Sequence, residues 1–549
     1  MPFLFLVVGF IVFILIATSI SDALIRFKHQ KELYQNWGKG GPLKEKDSED
    51  SLKRSLFSHL NETDFDFFVD DQTWGDLDMQ SLFRKIDISH SSLGSHYLYT
   101  QMRGVSFTQD MTLSILKNYF KTNFDTLIKT QLLFKRLGKK EETYIQSTLP
   151  TEPNSLLKSL FFHFFGILPV IGLILSIRFP YVGAIITLAA ICFNILYHIV
   201  TKFLLDKNIS ELAYTMRTLA FSTRLAKTEF PLQDKLAQAV HPFRKARFLG
   251  YIFREKTATT IEFLLDYLCM MFMIPYISID WLTRKITIHS ENFETILAIS
   301  GKTEMAISLL NYEETLPYFC IPILKEGSQP SITAKQLYHP LLDHAISNDL
   351  TFNQILLISG DNASGKSTYL KACAINGILA QTIGIALAEQ FEMVPGVMTT
   401  TMTTHDNIDI GDSSFIAEVK AIKRMITSLT PDFPTYLFID EIFKGTNTIE
   451  RLAAATSIIQ WLASEHQLAM ISTHDIELTT LSDQVVKNYH FSGRTQDNKI
   501  IYDYLLKDGA TTSRNAIEIL QIEDFPQSII TTAEKLITYY EENHTWRLD

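Results

Sequence analysis

Cysteine is scarce in this chain, and its four residues lie far apart, at Cys192, Cys269, Cys320 and Cys373. The sequence contains no CxxC pair, which excludes a zinc ribbon and argues against a disulfide-stabilised scaffold. The chain also has no excess of positive charge, because it contains 50 Lys and Arg against 60 Asp and Glu, which gives a net charge of −10. This balance excludes a polycation that wraps around nucleic acid, but it leaves room for a local basic face.

Charged residues make up only 20% of the 549 residues, whereas hydrophobic residues make up 46%. The mean hydropathy of +0.08 lies on the apolar side for a soluble protein. Such a composition excludes a disordered chain. The length predicts roughly three or four domains of about 150 residues each.

The chain begins with an apolar run, from Pro2 to Ile20, that contains no charged residue. A run of about 19 residues is long enough to cross the hydrocarbon core of a membrane as a helix. A cleaved signal peptide is the alternative, but it needs basic residues before the run, and here they follow it, from Arg26 to Lys46. We therefore expect residues 1–24 to form an uncleaved anchor whose C-terminal flank is cytoplasmic.

A second apolar region extends from Leu160 to Val200 and is interrupted only between Arg178 and Tyr181. Residues 156–201 are accordingly predicted to form a transmembrane helical hairpin, with a core hairpin of a soluble domain as the alternative. Residues 201–260 carry 11 Lys and Arg against 5 Asp and Glu. This positive flank predicts a multi-pass protein of the inner or plasma membrane, with both hairpin ends and the remaining chain in the cytoplasm.

The other parts of the chain differ in their patterns. Residues 25–155 predict a cytoplasmic helical segment, in which the Gly- and Pro-marked stretch from Lys39 to Asp50 is a linker. Residues 202–320 predict a helical core or lever. Within it, Ile261 to Leu282 is apolar but contains three acidic residues, so we interpret it as a core helix, with a membrane span as the alternative. Residues 321–549 alternate short apolar runs with helical segments, which predicts an α/β domain with a parallel sheet.

The strongest motif is the eight-residue stretch from Gly360 to Ser367, which fits GxxxxGK[ST] and lies between a strand-like and a helix-like segment. That context is typical of a loop whose backbone N–H groups surround phosphate. Lys366 is expected to contact the β- and γ-phosphates from a solvent-reachable loop, and the Ser367 hydroxyl to coordinate Mg²⁺. The residues predicted to bind ATP are Gly360, Asp361, Asn362, Ala363, Ser364, Gly365, Lys366, Ser367 and Thr368.

Two later strand-like runs end in residues suited to hydrolysis. The run from Tyr436 ends in two acids: Asp440 is predicted to hold Mg²⁺, and Glu441 to orient or deprotonate the attacking water. The run from Ala469 ends at His474, which is predicted to reach the γ-phosphate or that water. Taken alone, a surface histidine without a function is the simpler interpretation of His474.

Between these motifs, a Gly-Asp-Ser-Ser turn at residues 411–414 leads into a helix-like segment from Phe415 to Ile426. Its N–H groups and hydroxyls suit an anion, but a plain helix N-cap explains the same residues. Sequence physics leaves both interpretations open.

The four motifs, in this order and at these spacings, resemble the ATPase of the MutS mismatch-repair family, an ABC-type P-loop module. The likeness covers residues 355–480 and rests on SGDNASGKST, DNIDIGDSSFIAEV, LFIDEIFKGTNTIE and ISTHDIEL; weaker likeness reaches residues 73–103, 338–342 and 507–516. The resemblance implies ATP hydrolysis with Mg²⁺, with Glu441 and His474 as catalytic residues. It also implies a homodimer in which Ser413 or Ser414 of one subunit caps the ATP held by the other.

This sequence also departs from the family's pattern. A membrane anchor stands where repair members carry a mismatch-reading domain with a Phe-x-Glu wedge, and here Phe-x-Glu occurs only at residues 253–255. Asp412 replaces a position that is often basic. The family-level expectation is ATP-driven binding of mismatched or structured DNA, and the alternative is a membrane-anchored mechanochemical ATPase that acts on a protein partner. Half of an ABC transporter is disfavoured because the chain has too few spans.

Overall fold

The computed structural model describes residues 23–39, 47–59, 65–107, 111–139, 155–252, 267–327, 329–361, 363–402, 414–429, 433–443, 446–465, 467–482, 485–496, 499–511, 516–543, 545 and 547. The predicted anchor at residues 1–24 therefore lies almost entirely outside the described residues. The chain divides into two compact units. One comprises residues 1–62, 84–101 and 110–315, and the other comprises residues 63–83, 102–109 and 316–549.

Helices dominate the described part of the first 315 residues. They are α1 (23–36), α2 (Glu49–His59), α3 (Asp71–Asp76), α4 (Met79–Ile86), α5 (Ser92–Arg103), α6 (Met111–Thr122), α7 (Phe124–Leu137), α8 (Leu156–Leu175), α9 (Pro180–Leu225), α10 (Gln233–Val240), α11 (Ala246–Ile252), α12 (Ile274–Ile288) and α13 (Ser290–Thr315). Two short strands, β1 (Phe67–Phe68) and β2 (Gly104–Val105), pair antiparallel.

The core of the first unit is an apolar cluster between these helices. Buried side chains from α7, α9 and α13, among them Phe134, Leu219 and Ile307, pack together there. Most residues of α13 are buried. The linker prediction is wrong at its C-terminal end, because Asp47 is buried and α2 already begins at Glu49.

Helices α8 and α9 form the predicted hairpin. The turn lies at residues 176–179, two residues earlier than predicted, because Pro180 occupies the first position of α9, where a missing N–H costs nothing. Glycines allow close packing: a Cβ added at Gly183 would lie 2.2 Å from the backbone nitrogen of Ser176. Leu156–Leu175 and Pro180–Thr201 are long and apolar enough to cross a membrane, and only 22% and 17% of their most apolar stretches are buried within the chain.

Helix α9 spans 46 residues to Leu225, about 70 Å, and its apolar span ends at Thr201, so the hairpin boundary predicted between residues 201 and 202 falls within one continuous helix. One further prediction needs correction. The predicted helix from Ile261 to Leu282 is interrupted. Its first six residues lie outside the described residues, and Met273 adopts a left-handed conformation (φ +53°) before α12 begins. Pro275 lacks the N–H that would continue a helix across this point.

The second unit combines strands and helices. Its strands after residue 316 are β3 (Ile323–Leu324), β4 (Ile332–Leu337), β5 (Asn348–Phe352), β6 (Ile355–Gly360), β7 (Gln390–Met393), β8 (Val397–Thr401), β9 (Thr435–Asp440), β10 (Leu468–Thr473), β11 (Val486–Phe491), β12 (Gly493–Gln496), β13 (Lys499–Tyr502) and β14 (Lys507–Asp508). Its helices there are α14 (Lys366–Thr382), α15 (Ser414–Thr427), α16 (Thr448–Ser464), α17 (Ile476–Leu481), α18 (Ala516–Ile522) and α19 (Gln527–Asn543).

The main sheet has six strands in the order β14-β11-β6-β10-β9-β8. All neighbours pair in parallel except β14, which is antiparallel to β11. Every residue of β6 and β10 is buried, as expected for central parallel strands covered on both faces. A four-stranded sheet in the order β3-β7-β4-β5 accompanies it. The prediction of a mainly helical part followed by an α/β part is confirmed.

Candidate nucleotide-binding site

Three predicted motifs meet at one edge of the main sheet. Strands β6, β10 and β9 are neighbours and run in parallel, so their carboxyl ends lie side by side. Strand β6 ends at Gly360, which begins the phosphate loop. Strand β10 ends at Thr473, directly before His474, and β9 ends at Asp440, directly before Glu441. The carboxyl edge of a parallel sheet is where α/β proteins bind their ligands.

Backbone geometry explains the two glycines of the phosphate loop. Gly360 has φ +141°, and a Cβ there would lie 2.4 Å from the carbonyl oxygen of Phe491. Gly365 has φ +107° and immediately precedes α14. Only glycine adopts such conformations without strain, and the turn they produce directs the N-terminus of α14 towards the loop. Asn362 lies outside the described residues.

Lys366 is the first residue of α14, and only 5% of its surface is exposed. Our expectation of a solvent-reachable lysine is therefore wrong. Its ammonium group donates to the carbonyl oxygens of Gly360 (2.8 Å) and Asp361 (2.9 Å), because the loop folds back around it. Phosphate oxygens are stronger acceptors of the same kind.

The loop also contains a polar group without a hydrogen-bond partner among the described residues, the hydroxyl of Ser364. This hydroxyl is buried. Ser364 lines the cavity next to Lys366. Because an orphaned buried hydroxyl costs free energy, a ligand oxygen at this point would be stabilising.

The two residues predicted to hold Mg²⁺ touch each other. The hydroxyl of Ser367 donates to Oδ1 of Asp440 at 2.9 Å, and the hydroxyl of Ser472 donates to the same oxygen at 2.5 Å. Among the residues that the structure describes, no group of three His, Cys, Asp or Glu side chains forms a metal site. One hydroxyl and one carboxylate nevertheless fit Mg²⁺, which prefers oxygen and takes its remaining ligands from water and substrate phosphates.

Glu441 has an unusual backbone. It lies in the left-handed region (φ +59°), and its N–H donates to both the carbonyl and the hydroxyl oxygen of Ser472, each at 3.2 Å. Such a conformation is strained for a residue with a side chain and persists where the surroundings enforce it. It places the Glu441 carboxylate 2.8 Å from Nε2 of His474.

His474 lies between Glu441 and the phosphate loop. Its Nε2 lies 3.3 Å from Nζ of Lys366 as well as close to Glu441. The next residue, Asp475, accepts two hydrogen bonds from the guanidinium of Arg451, at 2.9 and 2.7 Å. Such a two-bond pair fixes geometry well, and it holds the loop that carries His474. Sequence reasoning missed Arg451 and Asp475.

Residues 363–368, Glu441 and His474 border one cavity of about 410 Å³. The lining also includes aromatic residues that the sequence did not assign to the site: Tyr338, His339, Tyr369, Phe491 and Tyr504. The amide of Asn348 fixes the segment of Tyr504, donating to the Tyr504 carbonyl (3.0 Å) and accepting from the N–H of Leu506 (2.7 Å). No local pattern marks these residues, because they come from separate segments.

Ser413 lies outside the described residues, and Ser414 opens α15 without a described side chain. The structure describes the residues on both sides of this stretch, and each side forms a hydrogen bond with α3 or with its N-cap residue Asp70. Before it, Thr400 Oγ1 and the Met402 N–H donate to Oδ2 of Asp76, at 2.9 and 3.0 Å. After it, Arg424 donates to Oδ1 of Asp70 at 2.8 Å. We call Asp70, Asp76 and Arg424 the flank clamp.

Comparison with known proteins bears on this part of the chain. The family model described as MutS domain V matches residues 356–541. These residues are MutS-related.

Among curated proteins, the chain is similar to the DNA mismatch repair protein MutS of Listeria innocua, with 29% identity over 239 residues, 41% of this chain and 27% of that protein. The protein of the same name from Staphylococcus carnosus is 31% identical over 221 residues, 37% of this chain and 25% of that protein. The chain thus spans about a quarter of the length of the curated relatives it matches. The MutS resemblance of the motifs is confirmed at this level.

Proposed function

We propose that this chain is a Mg²⁺-dependent, MutS-related ATPase that its apolar hairpin anchors in a membrane. The observation that carries the proposal is the single cavity shared by Lys366, Glu441 and His474, with Ser367 and Asp440 in contact beside it. A phosphate loop, a metal-binding pair and a candidate general base thus meet at one sheet edge.

Each residue has a distinct task in this proposal. Lys366 and the N–H groups before α14 bind the β- and γ-phosphates, and Ser364 donates its unpaired hydroxyl. Ser367 and Asp440 hold Mg²⁺, which neutralises charge on the phosphates when it is bound. Glu441 accepts a proton from the attacking water, and His474 holds the Glu441 carboxylate in position.

The aromatic residues of the cavity lining suit the nucleoside. Tyr338, Tyr369, Phe491 and Tyr504 border the cavity, and about 410 Å³ is within the usual range for a small-ligand site. The MutS relationship supports a homodimer in which Ser413 or Ser414 of one subunit closes the site of the other. The flank clamp would then position this stretch.

Membrane anchoring rests on the hairpin. Large apolar side chains along both helices are strongly exposed, among them Leu157 (79%), Ile185 (67%) and Leu188 (63%). Water disfavours such a surface, whereas hydrocarbon accommodates it. The excess of positive residues in 201–260 favours a multi-pass arrangement with the ATPase part in the cytoplasm.

The partner of the ATPase has two candidates. The relatives carry the name DNA mismatch repair protein, which supports ATP-driven binding of mismatched or structured DNA. The exposed hairpin instead favours a mechanochemical ATPase that acts on a membrane protein. DNA affinity measured across salt concentrations separates them, because a log–log slope equivalent to several phosphate contacts supports DNA, and no measurable binding supports the second candidate.

Equilibrium binding of Mg·ATP tests the site itself. We expect Lys366→Ala to lower the affinity by at least about 100-fold, because the bound phosphates lose their ammonium partner. Lys371→Ala, on the same helix but outside the cavity, is the control and should bind like wild type. Thermal melting shows whether each variant is folded. A folded Lys366→Ala protein with wild-type affinity would refute the site.

A further inference from the structure

A second cavity, of about 620 Å³, lies in the first unit between the start of α8, the segment around α11, and α12. Ser159 and His163 line it from α8, Lys245 and Phe248 from the α11 segment, and Trp281 and Arg284 from α12. None of these residues belongs to the nucleotide site. The cavity lies at the end of the hairpin that leads into the helical core.

Its charges favour an anion. Oδ2 of Asp280 accepts from the hydroxyl of Ser159 (2.7 Å) and from Nε of Arg284 (3.1 Å), so Asp280 and Arg284 balance each other. The ammonium group of Lys245 has no carboxylate partner in the described part of the chain. Lys245 therefore gives the cavity its net positive charge.

A buried hydroxyl points to a ligand independently of the charges. Ser278 also lines the cavity, is only 1% exposed, and its Oγ has no hydrogen-bond partner among the described residues. Because an unsatisfied buried hydroxyl is costly, a ligand oxygen would restore its hydrogen bond. A phosphate near Lys245 supplies such an oxygen.

The remaining lining is apolar and continues onto the hairpin. Phe248 is 78% exposed at the mouth of the cavity, and Trp281 is half-buried beside it. On α8, Leu160 and Phe164 follow Ser159 and His163 directly, and each is 57% exposed. A hydrocarbon chain bound in the cavity would therefore pass onto the lipid-facing surface of α8. Tryptophan is typical of the boundary between hydrocarbon and headgroups.

We infer that this cavity binds the headgroup and upper acyl chain of an acidic phospholipid. The phosphate meets Lys245 and the Ser278 hydroxyl, the acyl chain follows Phe248 and Leu160, and the exposed Arg244 and Arg247 beside Lys245 attract the negative membrane surface. This inference rests on the membrane anchoring in the proposed function, but it does not depend on ATP hydrolysis. The lipid composition of the membrane therefore determines how fully this cavity of the helical unit is occupied.

Lipid titration of the purified full chain in neutral detergent tests it. We expect short-chain phosphatidylglycerol to bind about tenfold more tightly than phosphatidylcholine of the same chain length. Lys245→Glu should abolish this preference, whereas Lys235→Glu, an equal charge change on an exposed part of α10, should retain it. Ser278→Leu fills the cavity without changing charge, and it should weaken the binding of both lipids at least about fivefold.

Each way in which the lipid inference can fail gives a different experimental result. Equal affinity for both lipids, or a Lys235→Glu effect as large as that of Lys245→Glu, would overturn the lipid site. Binding of inorganic phosphate that competes with phosphatidylglycerol, and that Ser278→Leu leaves intact, would indicate a free-phosphate site instead. Failure of the anchoring itself would show separately, as extraction of the chain from membranes by alkaline carbonate, and failure of the ATPase as absence of turnover.

Discussion

The carboxylate of Glu441 lies 2.8 Å from Nε2 of His474, and the same nitrogen lies 3.3 Å from Nζ of Lys366. One imidazole thus faces both the candidate general base and the lysine proposed to bind phosphate. Glu441 directly follows β9 and has the left-handed backbone in this arrangement (φ +59°). This arrangement suggests that His474 holds the geometry of hydrolysis and contributes little to nucleotide binding.

Replacing His474 separates these two properties. We expect His474→Ala to lower the ATP turnover number on the order of 100-fold, with the affinity for Mg·ATP within about threefold of wild type. His490→Ala, on β11 and outside the cavity lining, should behave like wild type. Steady-state ATPase assays and equilibrium binding measure the two effects. A loss of affinity as large as the loss of turnover would assign His474 to binding instead.

The flank clamp predicts an effect on assembly rather than on nucleotide binding. Arg424, in the last turn of α15, ties that helix to Asp70, and neither residue lines the nucleotide cavity. We expect Arg424→Ala to weaken ATP-dependent dimerisation about tenfold, the usual cost of a lost charged hydrogen bond, while ATP affinity stays unchanged. Light scattering with Mg·ATP measures it.

The control for the flank clamp is Lys423→Ala, which changes an exposed residue one position earlier. It should dimerise like wild type. If the Arg424 and Lys423 variants dimerise equally well, α3 does not position the stretch around Ser413.

Glu304 predicts how the stability of the helical unit depends on pH. Burial raises the pKa of this carboxyl group to about 8, against the opposing effects of the hydrogen bonds from Ser91 and the His90 N–H and of the charge of Lys139. The folded state therefore binds more protons than the unfolded state between pH 4.5 and about 8, so stability falls as pH rises through this window. The negative charge of Asp87, which lies close to Lys139, also raises the pKa of Glu304, as burial does.

Glu304→Gln removes this titration while keeping the shape of the side chain. Relative to wild type, its melting temperature should rise between pH 5 and pH 9, by on the order of 5 °C. Calorimetry at several pH values measures the difference. A difference that is independent of pH would mean that Glu304 is ionised throughout the window.

The hairpin predicts a topology. Tyr181, at the tip of the hairpin, is 87% exposed, and Glu49 lies at the start of α2. In a background in which the four cysteines are replaced by alanine, an impermeant thiol reagent should label Tyr181→Cys in intact cells and leave Glu49→Cys unlabelled until the cells are lysed. Labelling of Glu49→Cys in intact cells would invert the topology, and labelling of neither tip nor flank would place the hairpin inside the cytoplasm.

The centre of the candidate site could be predicted from the sequence because short motifs along the chain encode it. The phosphate loop needs glycine at fixed positions between a strand and a helix, and parallel strands carry Asp440 and His474 to the same edge, so the centre of the site follows from residues close in sequence. The contact between Asp76 and Thr400 joins residues 324 positions apart, and no periodicity encodes it. The sequence places Asp47 in a linker because its partners, among them Lys139, lie far along the chain.

ATP turnover by the Glu441→Gln protein tests the central claim most directly. The amide keeps the size of the side chain but accepts no proton from water, so we expect turnover to fall by a factor on the order of 10²–10⁴ with Mg·ATP affinity preserved. Glu477→Gln, an exposed change near the same sheet edge, should hydrolyse ATP at the wild-type rate. A Glu441→Gln protein as active as wild type would contradict the account.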